Sequence, residues 1–110
     1  MAATPEKKVK DAVAKVLKQY GVYFFYPVTG GFGRSGVPDI VGCYKGNFIA
    51  IECKAGKNVP TALQVQELNK INGAGGVAIV ANEKNIGDVA KLLDTITFMR
   101  ELSERQHGTH

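Results

Sequence analysis

The chain has 110 residues, of which 45% are hydrophobic and 22% are charged, and its formal net charge is +4. This length predicts a single domain with one modest core, and the composition is that of an ordinary globular domain rather than a fibrous or disordered one. The sequence contains neither an apolar run long enough to span a membrane nor a charged-then-apolar leader, so we expect a cytoplasmic protein of a bacterial or phage-infected cell. The mild positive charge permits a polyanionic partner without indicating one.

The predicted elements follow the order α-β-β-β-α-β-α. Thr4-Pro5 marks the start of a first helix that ends at Gly21. Strands are predicted over 22–28, 39–44 and 48–53, a helix from near Thr61, a strand over 75–81 and a last helix capped by Asn85. An apolar stripe is predicted on this last helix, formed by Val89, Leu92, Leu93, Ile96, Met99 and Leu102. The order predicts an α/β or α+β domain with a mixed central sheet between helices over residues 1–103, followed by a polar tail over 104–110.

The segment 29–42 reads TGGFGRSGVPDIVG and contains a G-x-G-x-x-G pattern, which in dinucleotide-binding proteins links a strand to a helix. Here Val37-Pro38 follows the last glycine, and proline disfavours a helix at that point. The pattern therefore fails its structural requirement, and we predict no nucleotide cofactor. Cys43 and Cys53 lie within apolar runs and are predicted to be buried free thiols.

Three charged residues converge at the open end of the hairpin predicted over 39–53. With a Lys45-Gly46 turn, Asp39 lies across from Glu52. With the turn one residue later, Asp39 lies across from Lys54. In either register the three side chains share one face of the sheet, because side chains alternate along a strand. Opposed carboxylates repel, and a divalent cation such as Mg²⁺ or Mn²⁺ would convert them into ligands; the alternative is a plain Lys54–Glu52 salt bridge.

Two further polar residues lie at the N-terminal ends of apolar helix faces, and both are candidates for the same site. Glu6 is in register with the apolar stripe of the first helix, and it is either a third site acid or a carboxylate that favours the helix dipole. Gln64 shares a face with Leu68 and Ile71. It is either a site residue or the second half of a capping box with Thr61.

Three segments, GVPDIVG, FIAIECKAG and PTALQ followed by AGG, resemble the VRR-Nuc domains of the PD-(D/E)xK nuclease superfamily over roughly residues 6–80. The resemblance implies a restriction-endonuclease-like fold and a Mg²⁺- or Mn²⁺-dependent nuclease. It implies Asp39 and Glu52 as metal ligands helped by the Cys53 carbonyl, and Lys54 as the catalytic lysine. It also implies Glu6, acting on the metal through water, and Gln64 as catalytic helix residues.

The same resemblance implies an endonuclease similar to the Holliday-junction resolvases, which cut branched DNA as homodimers. Phosphate contacts are expected from Arg34 and Ser35 of the glycine loop, from basic residues of the first helix and from Lys57; the helix residues are Lys7, Lys8 and Lys10. For any single lysine, ordinary surface solubilisation is the alternative. The alternative functions are a catalytically silent nucleic-acid-binding module, a less selective DNA nuclease of the same fold, and an assembly protein that pairs through its last helix.

Overall fold

A computed structural model of the chain describes residues 3–28 and 35–107. Within these ranges the chain forms a four-stranded mixed sheet flanked by three helices, in the predicted order α-β-β-β-α-β-α. The elements are α1 (Pro5–Tyr20), β1 (Tyr23–Phe25), β2 (Ile40–Tyr44), β3 (Asn47–Cys53), α2 (Ala62–Gly73), β4 (Val77–Ala81) and α3 (Ile86–His107).

The sheet has the spatial order β1-β2-β3-β4, so the β2–β3 hairpin lies at its centre. The hairpin turn is Lys45-Gly46, with φ values of 50° and 84°, and Tyr44 pairs with Asn47 across it. Positive φ at both central residues is the geometry that matches the twist of the two strands, and glycine adopts it without steric cost. β1 pairs with β2 and β2 with β3 in antiparallel fashion, whereas β3 and β4 are parallel and are connected through α2.

The helices cover the two faces of the sheet unequally. On one face α1 and α3 enclose the main core, which includes Val13, Leu17, Ile40, Ile51 and Leu93. On the other face α2 alone covers a smaller cluster, formed by Val41, Ala50, Leu68 and Ala78. Because one helix of 12 residues cannot cover four strands, part of this second face stays open towards β1.

Several predicted boundaries and one burial prediction differ from the structure. The first strand is three residues long rather than seven, because β2 begins at Ile40 and Pro27, which has no amide hydrogen, faces no partner strand there. The last helix continues to His107, so the first four residues of the predicted tail are helical and exposed. Cys53 is buried as predicted, whereas Cys43 is exposed because it lies on the part of the sheet that α2 leaves open.

The Asn85 side chain has a different role from the predicted helix cap. Its carboxamide accepts a hydrogen bond from the Asn82 amide at 2.6 Å and donates one to the Val80 carbonyl at 3.0 Å. It therefore fixes the turn between β4 and α3 rather than the first turn of the helix.

Two predictions concerned helices that the sequence should not form, one spanning a membrane and one following the glycine pattern. No helix in residues 3–28 and 35–107 combines the length and apolarity that crossing a bilayer requires. Between Ser35 and Asp39 there is no helix, and the chain passes directly into β2. The glycine pattern thus lacks the helix that a dinucleotide site needs.

Candidate active site

The end of the β2–β3 hairpin away from its turn brings Asp39, Glu52 and Lys54 together. Ile40 pairs with Ile51, so Asp39 and Glu52 are the next residues facing each other, in the first of the two predicted registers. Alternation along β3 places Glu52 on the face of the sheet that α2 covers. Asp39 and Lys54 lie just outside β2 and β3, and the Asp39 carboxylate contacts the Cys53 amide and Lys10 of α1. Two carboxylates and one ammonium group therefore meet at a single sheet end.

Asp39 is oriented by the neighbouring strand and by α1. The backbone amide of Cys53 donates a hydrogen bond to Asp39 Oδ2 at 2.8 Å. Lys10 Nζ lies 3.8 Å from Asp39 Oδ1 and 5.8 Å from the centre of the Tyr26 ring. The Asp39 carboxylate is thus held at a fixed position while it remains half-buried.

Glu52 is the buried charged residue of the site, with only 2% of its surface exposed. Its Oε2 atom accepts a hydrogen bond from Gln64 Nε2 at 3.0 Å and lies 3.3 Å from Lys54 Nζ. Its Oε1 atom is buried and has no hydrogen-bond partner among the described residues. An orphaned buried carboxylate oxygen is costly, and in native proteins such an atom is explained by an ordered water, a bound ion, local strain or a catalytic role.

Burial raises the pKa of Glu52 from 4.5 to about 7, and the charge of Asp39 is the next largest cause of the increase. Lys54 opposes the shift through its hydrogen bond and its charge, and the charge of Glu6 adds to it. Burial also raises the pKa of the neighbouring Cys53 thiol to about 12, so this cysteine stays protonated. The hydrogen bond and the charge of Lys54 therefore do not fully offset the cost of ionising the buried Glu52 carboxyl group.

Gln64 combines the two alternatives that the sequence left open. Its Oε1 atom accepts a hydrogen bond from the Thr61 backbone amide at 2.9 Å, while the Gln64 backbone amide donates to Thr61 Oγ1 at 3.2 Å. This is a complete capping box at the start of α2. Since its Nε2 atom also donates to Glu52, one side chain both begins the helix and ties it to the site.

Gly36 positions this first turn of α2 against the strand that follows the glycine loop. It has φ of +78°, and a Cβ atom added there would lie 2.6 Å from the carbonyl oxygen of Leu63 and 3.0 Å from the amide nitrogen of Gln64. Only glycine permits this approach. This contact was not predicted from the sequence, although the glycine directly before Val-Pro-Asp was a signal for it.

Glu6 lies on α1 close enough for its charge to contribute to the raised pKa values of Glu52 and Cys53. It also lines a cavity of about 420 Å³ with Ala55 and Gly56, which directly follow β3. Its location agrees with the predicted position near the acids. Thr4 caps α1 and accepts from the Lys7 amide at 3.1 Å, so Glu6 also occupies the first turn of that helix.

The predicted phosphate-contacting residues are distributed unevenly around the site. Lys10 contacts Asp39, whereas Lys7 is paired with Asp11 at 2.9 Å on the exposed side of α1. Lys8, Ser35 and Lys57 are exposed, and Arg34 lies outside the described residues. Lys10 is therefore the lysine of this set that lies against the acids.

Within residues 3–28 and 35–107, no three side chains of His, Cys, Asp or Glu form a group that could hold a metal ion. Glu6 thus does not join Asp39 and Glu52 as a direct third ligand. The donor set that fits a hard cation here is two carboxylates with backbone carbonyl and water oxygens, and the orphaned Glu52 Oε1 atom is the group that such a cation would complete.

Comparison with known proteins assigns no relationship. No protein-family model matches the chain, and no characterised protein shows significant sequence similarity to it.

Proposed function

We propose that the protein is a PD-(D/E)xK-type nuclease that hydrolyses phosphodiester bonds of DNA with the help of Mg²⁺ or Mn²⁺. The observation that carries the proposal is the orphaned, buried Oε1 atom of Glu52 beside a second carboxylate, Asp39, at the end of a central hairpin. The neighbouring Lys54 and Gln64 match the remaining positions of the nuclease motif that the sequence resembles.

Asp39 and Glu52 would hold the cation, with the Cys53 carbonyl as a further oxygen ligand and Glu6 acting through water. When bound, a divalent ion of this kind acts as a Lewis acid toward the scissile phosphate and activates water as the nucleophile. The raised pKa of Glu52 implies that protons and the cation compete for this carboxylate, so activity should increase as the pH rises through about 7.

Lys54 is the residue best placed to act on the reacting phosphate. Its ammonium group lies 3.3 Å from Glu52 Oε2, and its side chain is only 14% exposed. A cation held at this position orients the attacking water or stabilises the negative charge that develops on the phosphate oxygens. Gln64 keeps Glu52 in place through its 3.0 Å hydrogen bond, so it acts as a positioning residue.

Branched DNA is the substrate that we propose. A homodimer would place two active sites so that two strands of the branch are cut as a pair. Within the apolar stripe of α3, Val89, Leu93 and Ile96 are buried, whereas Met99 is 56% exposed and Leu102 is 36% exposed. This exposed end of the apolar stripe supports pairing with a second copy. Replacing Met99 with Asp should then convert a sedimenting dimer into a monomer; a monomeric full-length protein would contradict dimerisation.

The test of the proposed activity is cleavage of a labelled four-way junction beside a linear duplex of matching sequence, with Mg²⁺, Mn²⁺ or EDTA. We expect paired, metal-dependent nicks that Lys54→Ala abolishes and that Lys91→Ala, an exposed lysine on α3, leaves unchanged. Asp39→Ala should abolish cleavage while DNA binding is largely retained.

Each other outcome has its own consequence. Cleavage of both substrates would keep the nuclease and reject the selectivity for junctions. The absence of cleavage on every substrate would reject the activity and favour the silent binding module, and full activity of Asp39→Ala would reject the assigned roles.

A further inference from the structure

The sheet face that carries Glu52 continues, beyond the edge of α2, into a row of exposed aromatic side chains. Tyr23 is paired with Cys43, which is paired with Phe48, so these three residues form one row across three strands. Phe25 lies in the preceding row, beside Val41. Tyr23 is 71% exposed, Phe25 50% and Phe48 48%, and we call these three residues the aromatic platform.

The register fixes where the aromatic platform lies relative to the acids. Successive rows on one face of a sheet are about 7 Å apart, because every second residue points to that face. Phe25 therefore lies one row from the Asp39–Glu52 row, and Tyr23 and Phe48 lie two rows away, at about 14 Å. A strand with a phosphate at the two carboxylates would reach the aromatic platform within a few nucleotides.

Basic residues line cavities at two edges of the aromatic platform. At the hairpin turn, Tyr23 lines a cavity of about 430 Å³ together with Lys45 and Arg100. Phe48 lines another cavity, of about 290 Å³, together with Lys70. Acids are present too: Glu104 lines the first cavity, where it accepts from Arg100 Nε at 2.9 Å, and Glu67 lines the second.

The exposed surface of the aromatic platform is small compared with the area that a stable protein–protein interface buries. An aromatic side chain presents about 150–250 Å² when fully accessible, so the exposed fractions correspond to about 300–400 Å² of ring surface. A stable protein interface buries about 800 Å² on each partner. The aliphatic residues of the same rows, Val41 and Ala50, are already covered by α2 and cannot enlarge the contact. A flat base stacked on a ring needs far less area, and aromatic rings among basic residues are the usual surface for single-stranded nucleic acid.

We propose that the aromatic platform binds the unpaired bases of a single-stranded segment next to the cleavage site. This inference rests on the proposed nuclease function for the position of the scissile phosphate. It defines the preferred substrate as DNA with unpaired nucleotides flanking the cut, as at a flap, an overhang or an opened branch point. Stacking engages the face of any base, so this binding has little dependence on sequence.

The test is the binding of a labelled oligothymidine and of a duplex of equal length, measured by fluorescence anisotropy with EDTA and with Ca²⁺. Replacing two of the three rings, Tyr23 and Phe48, by leucine (Tyr23→Leu with Phe48→Leu) should weaken oligothymidine binding at least 10-fold and change duplex binding by less than 3-fold. The matched exchange Tyr23→Phe with Phe48→Tyr keeps both rings and should keep the affinity. In addition, oligonucleotides with 5-iodouracil should crosslink to peptides containing Tyr23, Phe25 or Phe48.

Three results would overturn the inference: no oligothymidine binding by the wild-type protein in either buffer, equal weakening of both ligands, or unchanged binding in the leucine variant. If the leucine variant also sediments as a smaller species than the wild type, a second copy rather than a base occupies the aromatic platform. A cleavage assay distinguishes the failure of the proposed nuclease activity from the failure of the proposed stacking surface. Ring-dependent binding without cleavage of any substrate would reject the nuclease and keep the stacking surface, and cleavage with ring-independent binding would do the reverse.

Discussion

Replacing Glu52 with glutamine is the substitution that most directly tests the electrostatics of the site. In the wild-type protein without a divalent cation, the folded state holds Glu52 with a pKa of about 7, against 4.5 for an unperturbed carboxyl group. Between these two pH values the folded state binds more protons than the unfolded chain. Stability therefore falls as the pH rises from about 4.5 to about 7, and it changes little from this group beyond that point.

The size of the effect follows from the same two values. A rise of about 2.5 pH units in the pKa corresponds to roughly 3 kcal/mol at pH 8. The Glu52→Gln amide carries no charge, and its oxygen can still accept the hydrogen bond from Gln64. We thus expect the variant to be about 2–3 kcal/mol more stable than the wild type at pH 8 in EDTA, and about equally stable at pH 4.5.

Urea denaturation at pH 4.5, 6 and 8 measures this difference directly, because the free energy of unfolding is obtained at each pH. The exposed residue Glu101 supplies the control, and Glu101→Gln should follow the wild-type curve. If the proposed function is correct, Mg²⁺ at pH 8 should stabilise the folded wild type and should stabilise Glu52→Gln much less. Parallel stability curves for the wild type and Glu52→Gln across this pH range would refute the reasoning.

Three further predictions concern the surroundings of Glu52. Gln64→Glu should retain the helix cap, since glutamate also completes a capping box, but it should lower cleavage at least 10-fold because it sets a carboxylate against Glu52; unchanged activity would contradict the positioning role. Gly36→Ala should destabilise the protein by about 1–3 kcal/mol in urea, because φ is +78° and the new Cβ would meet the backbone of α2 at 2.6 Å, so a change below 0.5 kcal/mol would contradict the contact. A thiol reagent should modify Cys43 rapidly and Cys53 only upon unfolding, since burial raises the pKa of Cys53 to about 12; rapid modification of both would contradict the assigned burial.

The helices, the strands and their order could be predicted because their signals are local. Thr4-Pro5 and Gly21 delimit α1 as predicted, and Thr61 begins α2. The register of the hairpin was limited to two alternatives, since glycine suits either turn position. Choosing between them required the conformation of Lys45, which adopts φ of 50° although it is not glycine. Neighbouring residues alone do not fix such a conformation.

Features that depend on distant parts of the chain could not be predicted. The exposure of Cys43 follows from how far α2 extends across the sheet, and the apolar run around this cysteine carries no information on that. The contact of Lys10 with Asp39 joins α1 to the end of β2, and the sequence indicated Lys10 only as one of several basic residues of the first helix expected to contact phosphate. For Gln64, the sequence offered two roles as alternatives because it shows a single carboxamide, whereas the structure uses its oxygen and its nitrogen separately.

The arrangement of contacts around Glu52 favours a ligand site over a structural salt bridge. Lys54 and Gln64 both contact Oε2, while Oε1 has no partner among the described residues. A cluster that served only stability would direct one donor to each oxygen, since an unsatisfied buried acceptor costs about 1–3 kcal/mol. The charge of Asp39 adds to this cost by raising the pKa of Glu52. Under the proposed function the cation would remove this repulsion, and Oε1 would be available to it as a ligand.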